Sequence, residues 1–290
     1  MRNSLDSAWL DSQYNNRLRV PDFAQILERW KKAALVAQQS LTSHLDVAFG
    51  PALSDKLDIF PSAQAAGKKA PVLIFIHGGY WRSLDKADHT FVAPSFVDEG
   101  VCVVVPNYAL CPAVTIDDIA LQTAQAVSWT WRNIHRFGGD PSCIAVVGHS
   151  AGGHLAAMLQ SCRWKTLGDD LPANLLTGAM GISGLYDLEP LRHSPYLQGD
   201  LRITPATVRR CSPAFFARPK GGAAKFFAVA GMDESEEFLR HNRLIRDAWG
   251  PTSVPVCETV PGANHFSVLE SLVDPAGRLH HLAHRLLGMA

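Results

Sequence analysis

The feature that most constrains this chain is a serine between two glycines, placed after a short apolar run. Residues Gly148–Gly152 read GHSAG, directly after the apolar run Cys143–Val147 and before the small and apolar run Gly153–Leu159. This pattern predicts a strand, a sharp turn and a helix, with Ser150 at the apex of the turn. Such a turn lifts a serine hydroxyl clear of the sheet and places it at a helix N-terminus, so Ser150 is a candidate nucleophile. The alternative is a serine in a tight structural turn.

A second motif lies 73 residues upstream. The apolar run Pro71–Ile76 is typical of a strand buried on both faces, and it ends in His77–Trp81, which read HGGYW. The glycines Gly78 and Gly79 free the N–H groups of the loop to point at one spot. Acyl transfer needs such donors for the oxygen of its tetrahedral intermediate, and the amide of Ala151 is the expected partner donor. The alternative is a strand-ending turn with a structural histidine.

A base and its carboxylate partner are expected downstream of the serine, in the order acid and then histidine. Asp233 follows a predicted strand at 224–230, and His265 lies in a loop after a predicted strand at 254–260. We therefore expect Ser150, Asp233 and His265 to form the catalytic group. Further candidates for the acid lie close to Asp233, namely Glu234, Glu236 and Glu237.

The remaining pattern alternates strands and helices, which predicts an α/β fold with a mainly parallel sheet of about eight strands and helices on both faces. The strands are expected at 45–49, 56–60, 71–76, 101–105, 143–147, 177–182, 224–230 and 254–260. The helices are expected at 85–99, 115–136, 151–161, 235–248 and 275–287. We expect a single domain over 1–290, with a helical N-terminal arm at 1–40 and a lid-like insertion at 184–219 that breaks the alternation.

Composition narrows the range of partners. The formal net charge is zero and basic residues are scattered, so we expect a small-molecule substrate and neither nucleic acid nor a membrane as a partner. The sequence leaves open whether two copies of the chain form a homodimer. The six cysteines lack metal-ligand spacing, so we expect reduced core residues and no metal site. No basic segment followed by an apolar run opens the chain, which favours a cytoplasmic location.

These motifs together resemble those of the arylformamidase (kynurenine formamidase) and esterase-like branch of the α/β-hydrolase fold. The resemblance rests on His77–Trp81 and Gly148–Ala156, and it extends to Asp233–Phe238 and Asn264–Phe266. It runs from about residue 57 to the end of the chain, with a weaker signal around Tyr14–Arg17. It implies an α/β-hydrolase domain, a Ser150–Asp233–His265 triad, no cofactor, and hydrolysis of a small acyl group from an aromatic or otherwise apolar partner.

The substrate stays open at this point. A formyl group needs little room beside Ser150, and an arylamine leaves more readily than an alkylamine once it is protonated, which favours an aryl formamide. A short-chain or aryl ester is the main alternative, and a non-catalytic binding protein on the same fold is a remote one. Four aromatic residues lie near the motifs: Tyr80, Trp81, Tyr186 and Phe266. We expect them to form an apolar wall of the substrate pocket, and the alternative is that they are ordinary core residues.

Overall fold

The structure is a computed structural model that describes residues 6–62, 69–217 and 225–289. One eight-stranded sheet crosses it, in the order β1-β2-β4-β3-β5-β6-β7-β8. The strands are β1 (His44–Ala48), β2 (Lys56–Phe60), β3 (Ala70–Ile76), β4 (Cys102–Pro106), β5 (Gly139–His149), β6 (Gly178–Ile182), β7 (Lys225–Gly231) and β8 (Val256–Val260). All eight predicted strands are present, and the predicted α/β-hydrolase fold class is confirmed.

The sheet is parallel from β4 to β8, while β1 and β2 run antiparallel at one edge. The central strands are covered on both faces, which explains why β3 and β4 are continuous apolar runs rather than alternating ones. The carboxyl ends of the parallel strands therefore meet at one edge, where loops can bring distant residues together.

Helices cover both faces of the sheet. Those described are α1 (Ser7–Tyr14), α2 (Asn16–Arg19), α3 (Phe23–Ser40), α4 (Ala93–Asp98), α5 (Ile116–Asn133), α6 (Ala151–Gln160), α7 (Glu189–Arg192), α8 (Pro195–Leu201), α9 (Pro205–Cys211), α10 (Glu236–Ser253, kinked at Gly250), α11 (Glu270–Val273) and α12 (Arg278–Leu286). One buried core includes side chains of α1, α5, α6 and α10, and a second includes those of α3, α4, α11 and α12. The described residues contain no helix long and apolar enough to cross a membrane.

The N-terminal arm is anchored to the body of the fold by buried polar contacts. The Tyr14 hydroxyl donates to Glu237 Oε2 over 2.6 Å and lies 3.1 Å from His241 Nε2. Asp11 accepts from the backbone N–H of Tyr196, at the start of α8. The arm is thus tied both to α10 and to the insertion. The insertion itself is helical, with α7 to α9, and the last two residues of its expected span lie outside the described residues.

Candidate active site

Ser150 stands at the turn between β5 and α6, as the spacing predicts. Its backbone has φ +58° and ψ −117°, a conformation in which L-residues are strained and which is often found at active sites. The flanking glycines make this turn possible, because a Cβ on Gly148 would lie 2.0 Å from the Gly152 carbonyl oxygen. A Cβ on Gly152 would likewise lie 2.0 Å from the carbonyl oxygen of Ile76. Only residues without a Cβ fit these two positions.

Three buried side chains form a continuous chain of hydrogen bonds. His265 Nε2 lies 3.1 Å from Ser150 Oγ, and its Nδ1 lies 2.7 Å from Glu234 Oε2. The other carboxylate oxygen, Oε1, accepts from Ser183 Oγ over 2.5 Å and from the Gly231 amide over 2.6 Å. The Glu234 carboxylate is thus fixed on both oxygens, and it can orient the imidazole so that Nε2 faces the hydroxyl.

The expected partnership of Asp233 with His265 is wrong. Asp233 is exposed, and its backbone N–H donates to the Ala263 carbonyl in the loop that carries His265. β7 ends at Gly231, and the following turn directs the side chain at position 234 inward and the one at 233 outward. Of the other nearby carboxylates, Glu236 is exposed and Glu237 binds Arg240 and Tyr14.

A second histidine supports the loop of His265. His149 Nε2 lies 2.7 Å from the His265 carbonyl oxygen, so this nitrogen must carry the proton. Burial, with a smaller contribution from nearby His265, lowers the pKa of His149 well below its usual value. His149 is therefore a neutral structural donor. The ring of Phe238 lies 4.5 Å from the His265 ring, centroid to centroid, and limits its movement.

The glycine loop after β3 requires a glycine at position 79. Gly79 has φ +107°, and a Cβ there would lie 2.0 Å from the Ser83 carbonyl oxygen. Gly78 and Gly79 line the same cavity as Ser150. Ala151 is the first residue of α6, and a helix of this kind leaves its first N–H groups without an intrahelical acceptor. Both Gly78 and the start of α6 thus lie next to Ser150.

Tyr108 supports this loop from behind. Its hydroxyl lies 2.9 Å from the His77 carbonyl oxygen and 3.1 Å from that of Gly78, and its ring stacks on His77 at 4.2 Å. The loop continues with two non-glycine residues at positive φ, Tyr80 at +51° and Trp81 at +55°. Two strained residues in succession persist only where packing determines the backbone, so this loop is rigid.

Ser150 and His265 open into a cavity of about 530 Å³, a volume that includes its open mouth. Its remaining lining comprises Asn16, Arg17, Leu27, Trp30, Gly78, Gly79, Tyr80, Arg82, Ser83, Leu84, His149, Tyr196 and Phe266. The expected lining residues Tyr80 and Phe266 are among them. Trp81 and Tyr186 are not, because both are fully buried: Trp81 packs edge-on against His154, and Tyr186 packs against Phe226. These two are core residues.

Sequence reasoning missed the contribution of the N-terminal arm to this cavity. Asn16 and Arg17 from α2 and Trp30 from α3 line one wall. The arm is bound to the glycine loop, since the Tyr80 hydroxyl donates to the Tyr14 carbonyl over 2.7 Å. Only the weak resemblance around Tyr14–Arg17 hinted at this role. Tyr196 and Arg82 were also missed, and Arg82 lies 4.6 Å over the Tyr196 ring and pairs with Asp200.

Comparison with known proteins shows the family of this chain. A sequence model of the BD-FAE family matches residues 57–176. Kynurenine formamidase of Danio rerio is 30% identical over 293 residues, a match that covers 99% of this chain and 97% of that protein. This chain belongs to the kynurenine formamidase family.

Solved structures share its architecture. A Silicibacter protein provisionally described as a thioesterase has a TM-score of 0.81 and 27% identity, covering 94% of this chain and 98% of its own. An esterase from Pyrobaculum calidifontis has a TM-score of 0.67 at 17% identity, covering 92% and 91%, which shows a common fold. The chain is a hydrolase of the arylformamidase and esterase type, on an α/β-hydrolase fold.

Proposed function

We propose that this chain is a serine hydrolase that removes a formyl or other short acyl group from an aryl amide or ester, in the manner of an arylformamidase acting on N-formylkynurenine. The observation that carries the proposal is the buried chain from Glu234 through His265 to Ser150, in a member of the kynurenine formamidase family. A hydroxyl that faces the substrate cavity, a base within reach of it and a carboxylate that orients the base are the parts that nucleophilic acyl transfer requires.

The first half-reaction forms an acyl-enzyme. Ser150 Oγ attacks the carbonyl carbon of the substrate while His265 Nε2 takes the hydroxyl proton. Glu234 stabilises the imidazolium that results. The carbonyl oxygen becomes an oxyanion, which the amides of Gly78, Gly79 and Ala151 stabilise. Removal of one such donor typically costs about 3–4 kcal/mol of transition-state stabilisation. His265 then gives its proton to the leaving nitrogen or oxygen as the bond to the carbonyl carbon breaks.

The second half-reaction releases the acid. A water molecule loses a proton to His265 Nε2 and attacks the acyl carbon on Ser150. The bond to Oγ then breaks, and Ser150 recovers its proton from His265. Formate is the product when the acyl group is formyl. The chemistry of these steps uses side chains and backbone amides of this chain, and we propose no cofactor for it.

The lining of the cavity supports an aromatic leaving group. Trp30 and Phe266 lie 6.1 Å apart, centroid to centroid, and Trp30 also packs edge-on against His149 beside Ser150. Aromatic faces of this kind bind a planar ring through offset or edge-to-face contacts. Arg17 and Asn16 add polar groups at the same wall, so a leaving group with both an aromatic ring and polar substituents suits this cavity.

A short-chain or aryl carboxylesterase is the second candidate, because solved esterases share the fold and the same catalytic group would serve both reactions. Steady-state kinetics on N-formylkynurenine and on a panel of aryl esters separates the two. The proposal predicts a kcat/KM for N-formylkynurenine above that for every ester of the panel. A formamide rate at the level of the Ser150→Ala background, with rapid ester cleavage, would instead assign the chain to the esterases.

A further inference from the structure

A cluster of two histidines and one glutamate lies far from Ser150, on the other edge of the sheet. Glu99 follows α4 and precedes β4, so it lies near the amino ends of the parallel strands, whereas Ser150 follows the carboxyl end of β5. His280 and His284 stand one turn apart on α12, a spacing that puts both rings on the same side of the helix. Within the described part of the chain, this is the one group of three side chains with metal-ligand chemistry whose ligand atoms lie within 4.8 Å of one another.

The two imidazole rings point at one oxygen. His280 Nε2 and His284 Nε2 each lie 2.7 Å from Glu99 Oε2. His280 Nδ1 lies 2.9 Å from the Leu272 carbonyl oxygen, which can only accept, so this nitrogen carries the proton of the neutral ring. In a neutral ring His280 Nε2 is then a lone pair that faces the carboxylate at 2.7 Å. A cation between these two groups, or a proton on Nε2, would make their contact favourable.

His284 has the same difficulty. Its Nε2 is buried and, within the described ranges, has no hydrogen-bond partner, although Glu99 Oε2 is close. A buried polar atom left without a partner destabilises the fold, so such an atom calls for an explanation. The ring of Phe96 stacks on His280 at 4.3 Å and holds it in this orientation. The cluster therefore presents two imidazole nitrogens and one carboxylate oxygen to a common point.

We propose that Glu99, His280 and His284 bind one divalent transition-metal ion, with Zn²⁺ as the ion of best fit. Two imidazoles and a carboxylate are a ligand set that zinc favours, and a Nδ1–H donated to a backbone carbonyl, as in His280, is the usual support of a ligating ring. The Glu99 side chain is 35% exposed, which leaves it free to adjust and gives a water molecule access as fourth ligand. Tetrahedral zinc holds its ligand atoms roughly 3.3 Å apart, so the carboxylate needs to recede by less than about 1 Å.

The position of the site indicates that the bound metal would have a structural role. It joins the C-terminal helix α12 to the segment between α4 and β4, two parts of the chain separated by 181 residues. Bound metal stabilises a fold when it binds the folded state and not the unfolded one. This proposal departs from the expectation of no metal site, which rested on residue spacing within short segments. Glu99 is too distant in sequence from the two histidines for such a motif to reveal it.

Zinc titration of the intact chain tests the proposal. The protein is prepared without a polyhistidine tag, stripped with a chelator and titrated with Zn²⁺ alone, with stoichiometry and Tm as readouts. We expect one Zn²⁺ per chain and a higher Tm. Loss of a residue that hydrogen-bonds to a metal ligand typically lowers metal affinity by about 10–100-fold. His284→Ala removes a ligand itself, so it should weaken Zn²⁺ binding by at least about 100-fold. His281→Ala is the matched control, because His281 is an exposed neighbour on the same helix and should leave affinity unchanged.

Two further measurements keep the test decisive. If His284→Ala fails to fold, Glu99→Gln replaces it, since the exposed carboxylate becomes an amide of equal shape. Co²⁺ added to the wild-type chain should give the visible absorption of a four-coordinate ion. Equal zinc affinity in the wild type and in the ligand variants would overturn the proposal. A second result would also overturn it: a Tm that does not change on addition of Zn²⁺ but falls as pH rises through the imidazole range. That result would assign the cluster to imidazolium ions paired with Glu99.

Discussion

Glu234 Oε2 lies 2.7 Å from His265 Nδ1, while the neighbouring Asp233 is turned toward solvent. We predict that Glu234→Gln lowers kcat by several orders of magnitude, about 10⁴-fold where the carboxylate acts as in known serine triads. The amide cannot stabilise the imidazolium, and it favours the wrong tautomer of His265. Steady-state hydrolysis of N-formylkynurenine or an aryl ester measures the effect.

The matched control is Asp233→Asn, an equivalent change one residue away. Because the Asp233 side chain is exposed, this variant should keep kcat within about threefold of the wild type, as surface changes away from a site usually do little. A large loss in Asp233→Asn together with normal turnover in Glu234→Gln would show that the carboxylate has been assigned to the wrong residue.

The difference between these two residues shows where sequence reasoning stops. The sequence places a carboxylate-rich turn after a strand, and the structure confirms that strand as β7. Which carboxylate faces His265 depends on the turn itself, in which the Asp233 N–H bonds to Ala263 and the Glu234 N–H returns to Gly231. A shift of one residue in such a turn reverses the direction of the side chain, and no local motif records it.

Elements defined by local pattern were predicted well, whereas features that depend on distant packing were not. The apolar runs and glycines around Ser150 and Gly79 carry the strand, turn and loop geometry in a few residues. The wall formed by Arg17 and Trp30 depends instead on how the N-terminal arm packs across the sheet edge. Trp81 was expected at the substrate wall, yet the positive φ of the loop turns it into the core.

The length of the acyl chain should affect turnover strongly. Tyr80 lies beside the glycine loop, and its hydroxyl is held by the Tyr14 carbonyl, so it cannot move aside easily. We predict that kcat/KM falls from formyl and acetyl to butyryl and longer groups on one fixed aryl leaving group, because extra methylenes strain the packing. An open apolar groove would instead gain roughly 0.8 kcal/mol per methylene. A kcat/KM that rises steadily through hexanoyl would reject the short-acyl proposal, and Tyr80→Ala should shift the preference toward longer chains.

The N-terminal arm should contribute measurably to stability through Tyr14. Its fully buried hydroxyl donates to Glu237 Oε2, and Tyr14→Phe leaves that oxygen with Arg240 only. Loss of one buried hydrogen-bond partner should lower the free energy of unfolding by about 1–3 kcal/mol. Urea denaturation measures it, and Leu18→Ala, at an 80% exposed position on α2, is the control. Equal stability of Tyr14→Phe and Leu18→Ala would contradict the anchoring role.

Stability should fall as the solution becomes acidic because of buried neutral histidines. Burial is the main cause that lowers the pKa of His154 to about 4, below its value of about 6.5 in an unfolded chain. Below pH 6.5 the unfolded state therefore binds a proton that the folded state does not, so stability present above that pH is lost as pH falls. One such group gives a slope of up to about 1.4 kcal/mol per pH unit between the two pKa values.

The measurement is the free energy of unfolding at about pH 7, 6 and 5, in the wild type and in His154→Gln. Glutamine does not titrate, and its amide can still donate to the Cys211 carbonyl that His154 Nε2 contacts over 2.8 Å. The slope of the unfolding free energy against pH should be smaller in His154→Gln, by the contribution of about one proton. It should be unchanged in His281→Gln, whose side chain is exposed. Identical slopes in the wild type and both variants would contradict the neutral state of His154.

The most direct test of the central claim is pre-steady-state hydrolysis of p-nitrophenyl acetate, with mass spectrometry of the quenched protein. If Ser150 is the nucleophile, the wild type should release a burst of about one equivalent of nitrophenol per chain, provided that deacylation is the slower step. The peptide that contains Ser150 should then carry one acetyl group, and folded Ser150→Ala should show neither burst nor adduct. Near-normal turnover by Ser150→Ala, or an acetyl group trapped on another residue with Ser150 unmodified, would contradict the account.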